Sequence, residues 1–231
     1  MTSVTACVSG GIDSCVMLAM LSQQYEKVYP VFLRNGYKWE EVELGYLRRY
    51  LAALNHPNIE SLVELPFPID LIMQKYWGEK GYNPTYSSGY SSNYIPGRNM
   101  LILNTATVVA FSNRCSYIAL GLLAGNPYPD AQKSFFDAFE QMVWQAMHFK
   151  VKVLTPLIKY EKHEVIKLGR QLPLELSFSC VFPQQGLHCG SLCNKCAERQ
   201  KGFFLAGIPD PTAYANTPPE VNWYEHEFGY D

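Results

Sequence analysis

The stretch Val4-Thr-Ala-Cys-Val8 followed by Ser9-Gly10-Gly11-Ile12-Asp13-Ser14 is a short apolar strand running into a tight glycine turn. Residues 13–22 are then largely apolar with helix-forming character, so the turn joins the end of a strand to the start of a helix. At such a junction the loop N–H groups and the positive end of the helix converge on one point, the natural seat of a phosphate. Gly10 and Gly11 let the backbone approach an anion closely, and Ser9 and Ser14 add hydroxyl donors. Asp13 either positions Mg²⁺ or caps the helix. The loop holds no lysine, which separates it from the P-loop of kinase-like NTPases. A bare Gly-Gly pair, taken alone, reads as a tight turn with a plain N-cap.

Outward from this unit, residues 27–33 (KVYPVFL) read as a second strand, and residues 40–54 as a helix with apolar positions at Val42, Leu44, Tyr46, Leu47 and Leu51. Residues 61–65, 116–120 and 152–154 read as further strands, and 99–112, 135–147 and 162–170 as helices. Strands alternating with helices predict an α/β fold with a doubly wound, mostly parallel sheet covered on both faces. Residues 84–96, rich in Ser, Tyr, Gly and Asn, read as a long loop of the kind that often carries function. The expected division is a nucleotide-binding domain over 1–175 and a zinc-binding region over 176–231 packed on it, ending in an irregular tail from residue 209.

The 231 residues suffice for one sizeable core, and 48% hydrophobic with 17% charged residues excludes a disordered chain. A formal charge of −2 leaves no global footprint for nucleic acid or an anionic membrane. The start of the sequence lacks a secretory pattern and no apolar run reaches membrane-spanning length, so a cytoplasmic protein is expected.

Of the seven cysteines, Cys7, Cys15 and Cys115 are scattered, whereas Cys180, Cys189, Cys193 and Cys196 follow the spacing C-x₈-C-x₃-C-x₂-C. Four thiolates with two tight spacings form a tetrahedral Zn²⁺ set with no position open for catalysis, so a structural metal is expected. Small buried hydrophobes, or redox pairing of Cys193 with Cys196, are the rival readings. His188 stands beside Cys189 as a substitute ligand or an outer partner.

The string from Ser9 to Ser14 resembles the S-G-G-x-D-S signature of the N-type ATP pyrophosphatases (PP-loop superfamily), where it holds the departing pyrophosphate. Further strings resemble the 7-cyano-7-deazaguanine synthase (QueC) family and its ExsB-like branch. These are IPGRNML at 95–101, NPYPD at 126–130, and TPLI at 155–158 with Lys162, Glu164 and Leu168. FSC at 178–180 through CAER at 196–199, and DPTAY at 210–214, complete a likeness spanning nearly the whole chain. The resemblance implies an adenine nucleotide alpha hydrolase-like fold and an ATP-dependent C–N ligase of queuosine biosynthesis. Such an enzyme adenylates 7-carboxy-7-deazaguanine, lets ammonia displace AMP to give the amide, and activates the amide again for dehydration to the nitrile. It also implies ATP, Mg²⁺ and structural Zn²⁺, and a homodimer. On this resemblance Val8, Ser9, Gly10, Gly11, Asp13 and Ser14 bind ATP; Asp13, Arg98 and Lys162 are catalytic; and Arg98, Asn99 and Asp130 face the substrate.

Each of these residues also has a plainer reading. Arg98 neutralises a surface acid, Asn99 is an N-cap, Asp130 begins the following helix, and Lys162 and Glu164 face water. The sequence departs from the family's pattern at residues 33–36 (LRNG), where the biosynthetic enzymes carry a Tyr-Gly-Gln-type stretch, and at residues 190–192 (GSL), one residue longer than the usual C-G-x-C. The first departure keeps open a relative that stops at the amide or joins the deazaguanine to a protein amine, as in bacterial antiviral defence. Enzymes that thiolate tRNA share the superfamily, but near-neutral charge counts against RNA and Cys7 and Cys15 read as core residues. A non-catalytic nucleotide-binding or zinc-stapled module with Tyr-rich loops is the rival from another class, and the intact Ser9, Asp13 and Ser14 argue against it.

Overall fold

A computed structural model describes residues 2–67, 84–89, 92 and 94–226. Five parallel strands, β1 (Ser3–Cys7), β2 (Lys27–Arg34), β3 (Val63–Pro66), β4 (Tyr117–Ala119) and β5 (Lys152–Leu154), form one sheet in the order β3-β2-β1-β4-β5. The expected α/β architecture is therefore present. β1 is bonded to β2 along its whole length and to β4 through Thr5 and Ala6, which leaves Val4, Thr5 and Ala6 without solvent exposure. Strands this deeply buried read as apolar runs rather than alternations.

The helices are α1 (Ile12–Gln24), α2 (Glu40–Leu54), α3 (Arg98–Ser112), α4 (Lys133–Met147), α5 (Lys162–Leu168) and α6 (Asn194–Ala206). One core layer joins β1 and β2 to α1, α2, α5 and α6 through Val16, Leu18, Leu44, Leu47, Ile166 and Phe203. A second layer packs Leu103, Ala106 and Ala110 of α3 against Phe136, Phe139 and Val143 of α4. Helices thus cover both faces, and the chain reverses its winding between β1 and β4. That switch point opens a crevice at the carboxyl ends of the two strands.

Expected element types hold, with ends shifted by at most two residues. Helix α6 is the addition: Cys193 is its N-cap and Cys196 lies in its first turn, so two of the four residues with metal-ligand spacing sit at the start of a helix. Residues 90, 91 and 93 of the loop expected over 84–96 lie outside the described residues. The rest of that loop docks on α6, where the Asn194 amide donates to the carbonyls of Ser88 (3.1 Å) and Gly89 (3.3 Å). No helix among the described residues is long and apolar enough to cross a membrane.

Candidate active site

A cleft of about 310 Å³ opens at the switch point, lined by the glycine loop, the carboxyl ends of β1, β2 and β4, and the starts of α2, α3, α5 and α6. Helix α1 begins after Gly11, and no side chain caps it. Its first-turn N–H groups are therefore left to an external acceptor. Asp13 and Ser14 are not the N-cap that the plain reading supposed. Ser14 instead braces the loop, donating to the Gly11 carbonyl at 3.0 Å and accepting from the Ser9 N–H at 3.2 Å. Gly10 holds φ of +82° with its Cα against α2, where an added Cβ would lie 3.3 Å from the Glu43 carbonyl and from Leu47 Cβ. An uncapped helix start behind a glycine bend, with two hydroxyls beside it, fits the phosphates of a nucleotide.

Charged groups flank the loop. The Lys162 ammonium donates to both Asp13 oxygens at 2.6 and 2.9 Å and lies 3.4 Å from Glu198, which also pairs with Lys195 at 2.9 Å. Burial opposes the Lys162 charge, yet Asp13 and Glu198 hold the ammonium well above its ordinary range. Burial likewise opposes the Glu198 carboxylate, but Lys195 and Lys162 pull it down to about 2. Lys162 is thus neither in water nor free: Gly202, on whose absent side chain Lys162 Cγ would intrude at 2.7 Å, lets its stem cross α6. Glu164 does not simply face water either, since it completes a capping box with Glu161.

Arg98 and Asn99 line the cleft from α3, whereas Asp130 does not. The Asp130 carboxylate accepts from the Asn99 backbone N–H at 2.8 Å and from its amide at 3.3 Å. It therefore caps α3 from a distance, and Asn99, two residues beyond the N-cap Gly97, is not itself the cap. Arg34 pairs with Glu40 at 3.2 Å and with Glu41, while Leu33 and Asn35 reach the cleft.

Several cleft residues carried no role in the sequence reading: Tyr37, Trp39, Glu43, Lys195, Glu198 and Arg199. Tyr37 and Trp39 stack at 4.7 Å between centroids and 15° between planes, forming with Ile95 a flat apolar wall. Arg199, 1% exposed, donates to Ser177 Oγ (2.9 Å), Leu174 O (2.8 Å) and Thr212 Oγ1 (2.5 Å). Burial raises the Glu43 carboxyl to about 8, with Arg98 opposing and Glu40 adding to the shift. A signal for Glu43 existed, since it stands four residues before the core residue Leu47 on an amphipathic helix.

Behind the cleft, Cys180, Cys189, Cys193 and Cys196 are wholly buried with their sulfurs within 4.8 Å of one another. That convergence of four soft donors can hold a tetrahedral metal ion. The extra residue of the GSL segment is accommodated at the surface, where Leu192 is 44% exposed, so Cys193 still caps α6.

Residues 3–207 match the family described as queuosine biosynthesis protein QueC. The chain belongs to the QueC family. It is 35% identical over 227 residues to the 7-cyano-7-deazaguanine synthase of Syntrophobacter fumaroxidans, covering 89% of this chain and 93% of that protein. The 7-cyano-7-deazaguanine synthase of Methanococcus aeolicus is 29% identical over 229 residues, covering 90% and 97% respectively. Among solved structures, a 4-thiouridine synthetase in complex with RNA and ATP superposes with a TM-score of 0.50 at 15% identity. That match covers 92% of this chain and 47% of the synthetase, and it supports the shared fold alone. Other QueC family members are thus similar along almost the whole chain, which includes the cleft and the cysteine cluster.

Proposed function

We propose that the chain is a 7-cyano-7-deazaguanine synthase that uses ATP to activate a deazaguanine carboxylate, and then its amide, as AMP esters. The observation that carries this reading is the uncapped start of α1 behind the Ser9–Gly10–Gly11 bend, opening into a cleft that also holds a flat aromatic wall and four basic side chains. A carboxylate is a poor electrophile because its oxygen does not leave; transfer of AMP to that oxygen turns it into a leaving group. The loop N–H groups and the Ser9 and Ser14 hydroxyls would take the charge that builds on pyrophosphate as it departs. Arg98 is the cleft cation suited to a planar carboxylate or phosphate. Tyr37 and Trp39 offer a stacking surface to a planar heterocycle.

Asp13 would hold Mg²⁺, which when bound neutralises phosphate charge. Asp13 would then exchange part of its hold on Lys162 for the metal, freeing the ammonium toward phosphate. The four buried cysteines would hold a structural Zn²⁺, and residues 176–231 would act as a brace on the nucleotide domain rather than as a second catalytic unit.

Pyrophosphate release from ATP, measured with and without 7-carboxy-7-deazaguanine, tests the reading: release that ignores the carboxylate refutes it. Because Leu33 and Asn35 of the divergent 33–36 segment line the cleft, the same adenylate meeting a different amine is the second reading. Mass spectrometry of the product separates nitrile from amide and from a protein conjugate.

A further inference from the structure

The cleft holds three carboxylates among its described lining residues: Asp13, Glu43 and Glu198. Asp13 is bound by Lys162, and Glu198 by Lys195 and Lys162. Only the Glu43 carboxylate has no hydrogen bond or ion pair with any described residue, although it lines the cleft and its Cγ would lie 3.6 Å from a Cβ placed on Gly10. Among the described residues no histidine lines the cleft, and the thiol of Cys7, pushed up to about 12 by burial, stays protonated. The charged and titratable groups facing Glu43 are Glu40 on its own helix, Arg98 from α3 and Cys15 from α1.

We propose that the Glu43 carboxylate is the proton acceptor for the nitrogen chemistry of this cleft. The assignment rests on the function proposed above. In the first round, the ammonia lone pair forms the C–N bond, the C–O bond to AMP breaks, and the resulting ammonium nitrogen gives one proton to Glu43. In the second round, the amide oxygen attacks the α-phosphorus and pyrophosphate leaves. The amide nitrogen then loses its two protons in succession as the C–O bond to AMP breaks and the C≡N bond completes. Each proton passes from the Glu43 carboxyl to water, and nothing is oxidised or reduced. A carboxyl raised to about 8 by burial is a far stronger base than an ordinary one once ionised, so the nitrogen steps should speed up as pH rises toward 8.

Only the nitrogen steps need an acceptor, because a carboxylate attacking ATP releases no proton. The test therefore compares two partial reactions in Glu43→Gln and Glu43→Asp. One is carboxylate-dependent ATP–pyrophosphate exchange, and the other is conversion of 7-amido-7-deazaguanine to the nitrile. In Glu43→Gln, nitrile formation is expected to fall about 10²–10⁴-fold and exchange by less than about tenfold. Glu43→Asp is expected to recover part of the nitrile rate, and the acid limb of the wild-type pH profile to vanish from the residual Gln rate. Equal loss in both reactions, or no loss in either, overturns the assignment while leaving the proposed function standing. Wild-type protein without carboxylate-dependent exchange overturns the proposed function and the assignment together.

Discussion

Replacing Glu43 by Gln is expected to stabilise the ligand-free protein at alkaline pH. Its carboxyl rests at about 8 in the fold against an ordinary 4.5, because burial penalises the charge more than Arg98 relieves it. A folded value raised for an acid means that the native state holds a proton the unfolded chain has already released. Stability therefore declines as pH rises from 4.5 to 8, and the full penalty is present above 8. At about 1.36 kcal/mol per pH unit, the two units between pH 6 and 8 correspond to about 2.7 kcal/mol. Water in the cleft screens part of this, leaving about 1–2 kcal/mol. Urea unfolding of wild type and Glu43→Gln at pH 6 and pH 8.5 isolates the effect, since histidines and other titrating groups cancel in the difference. The variant should gain about 1–2 kcal/mol on wild type between the two pH values. A wild-type curve that does not weaken relative to the variant would show that the Glu43 carboxyl is not held above its ordinary range.

Gly10→Ala should cost about 1–2 kcal/mol from the positive φ alone and remove the rise in melting temperature caused by ATP; an unchanged ATP response refutes the cradle. Metal analysis should find one Zn²⁺ per chain, with Cys193→Ser and Cys196→Ser both lowering metal content and stability; a stable, metal-free wild type with four free thiols in this cluster refutes the site. Arg199→Met should cost about 3–4 kcal/mol in urea unfolding, because two buried acceptors and a half-buried one lose a charged donor; a cost under about 1 kcal/mol would show that Arg199 only fills space.

The parallel sheet was legible because strands buried on both faces are apolar runs separated by helical periods, and β1 with its glycine turn fixed the winding point. The cysteine cluster was legible from spacing, since two short intervals leave few ways to arrange four sulfurs. Helix α6 was not, because its start is read as metal ligands and its buried face includes Arg199, Gln200 and Asn194, which break the apolar pattern. The roles of Asp130 and Lys162 were equally hidden. The Asp130 carboxylate serves the start of a helix 31 residues earlier, and Lys162 meets Asp13 across 149 residues. Such pairings depend on how layers pack, which no local pattern encodes. Glu43 left a fainter trace, a half-buried acid next to the buried Leu44 on α2.

Helix α6 carries two sulfurs at its start, Lys195 and Glu198 toward the cleft, Arg199 into the interior and Phe203 into the main core. These groups fall within about three turns of one stiff rod, with roughly 1.5 Å of rise per residue. A shift of the rod that opens the sulfur tetrahedron by an ångström would carry Glu198 away from Lys162 by a similar distance. Retention of the proposed ion and grip on the proposed nucleotide would then share one mechanical degree of freedom, so each should slow the loss of the other. If the cluster is loaded with Zn²⁺, its exchange with a competing chelator should slow when ATP is added, so that a nucleotide is felt from the far side of the wall.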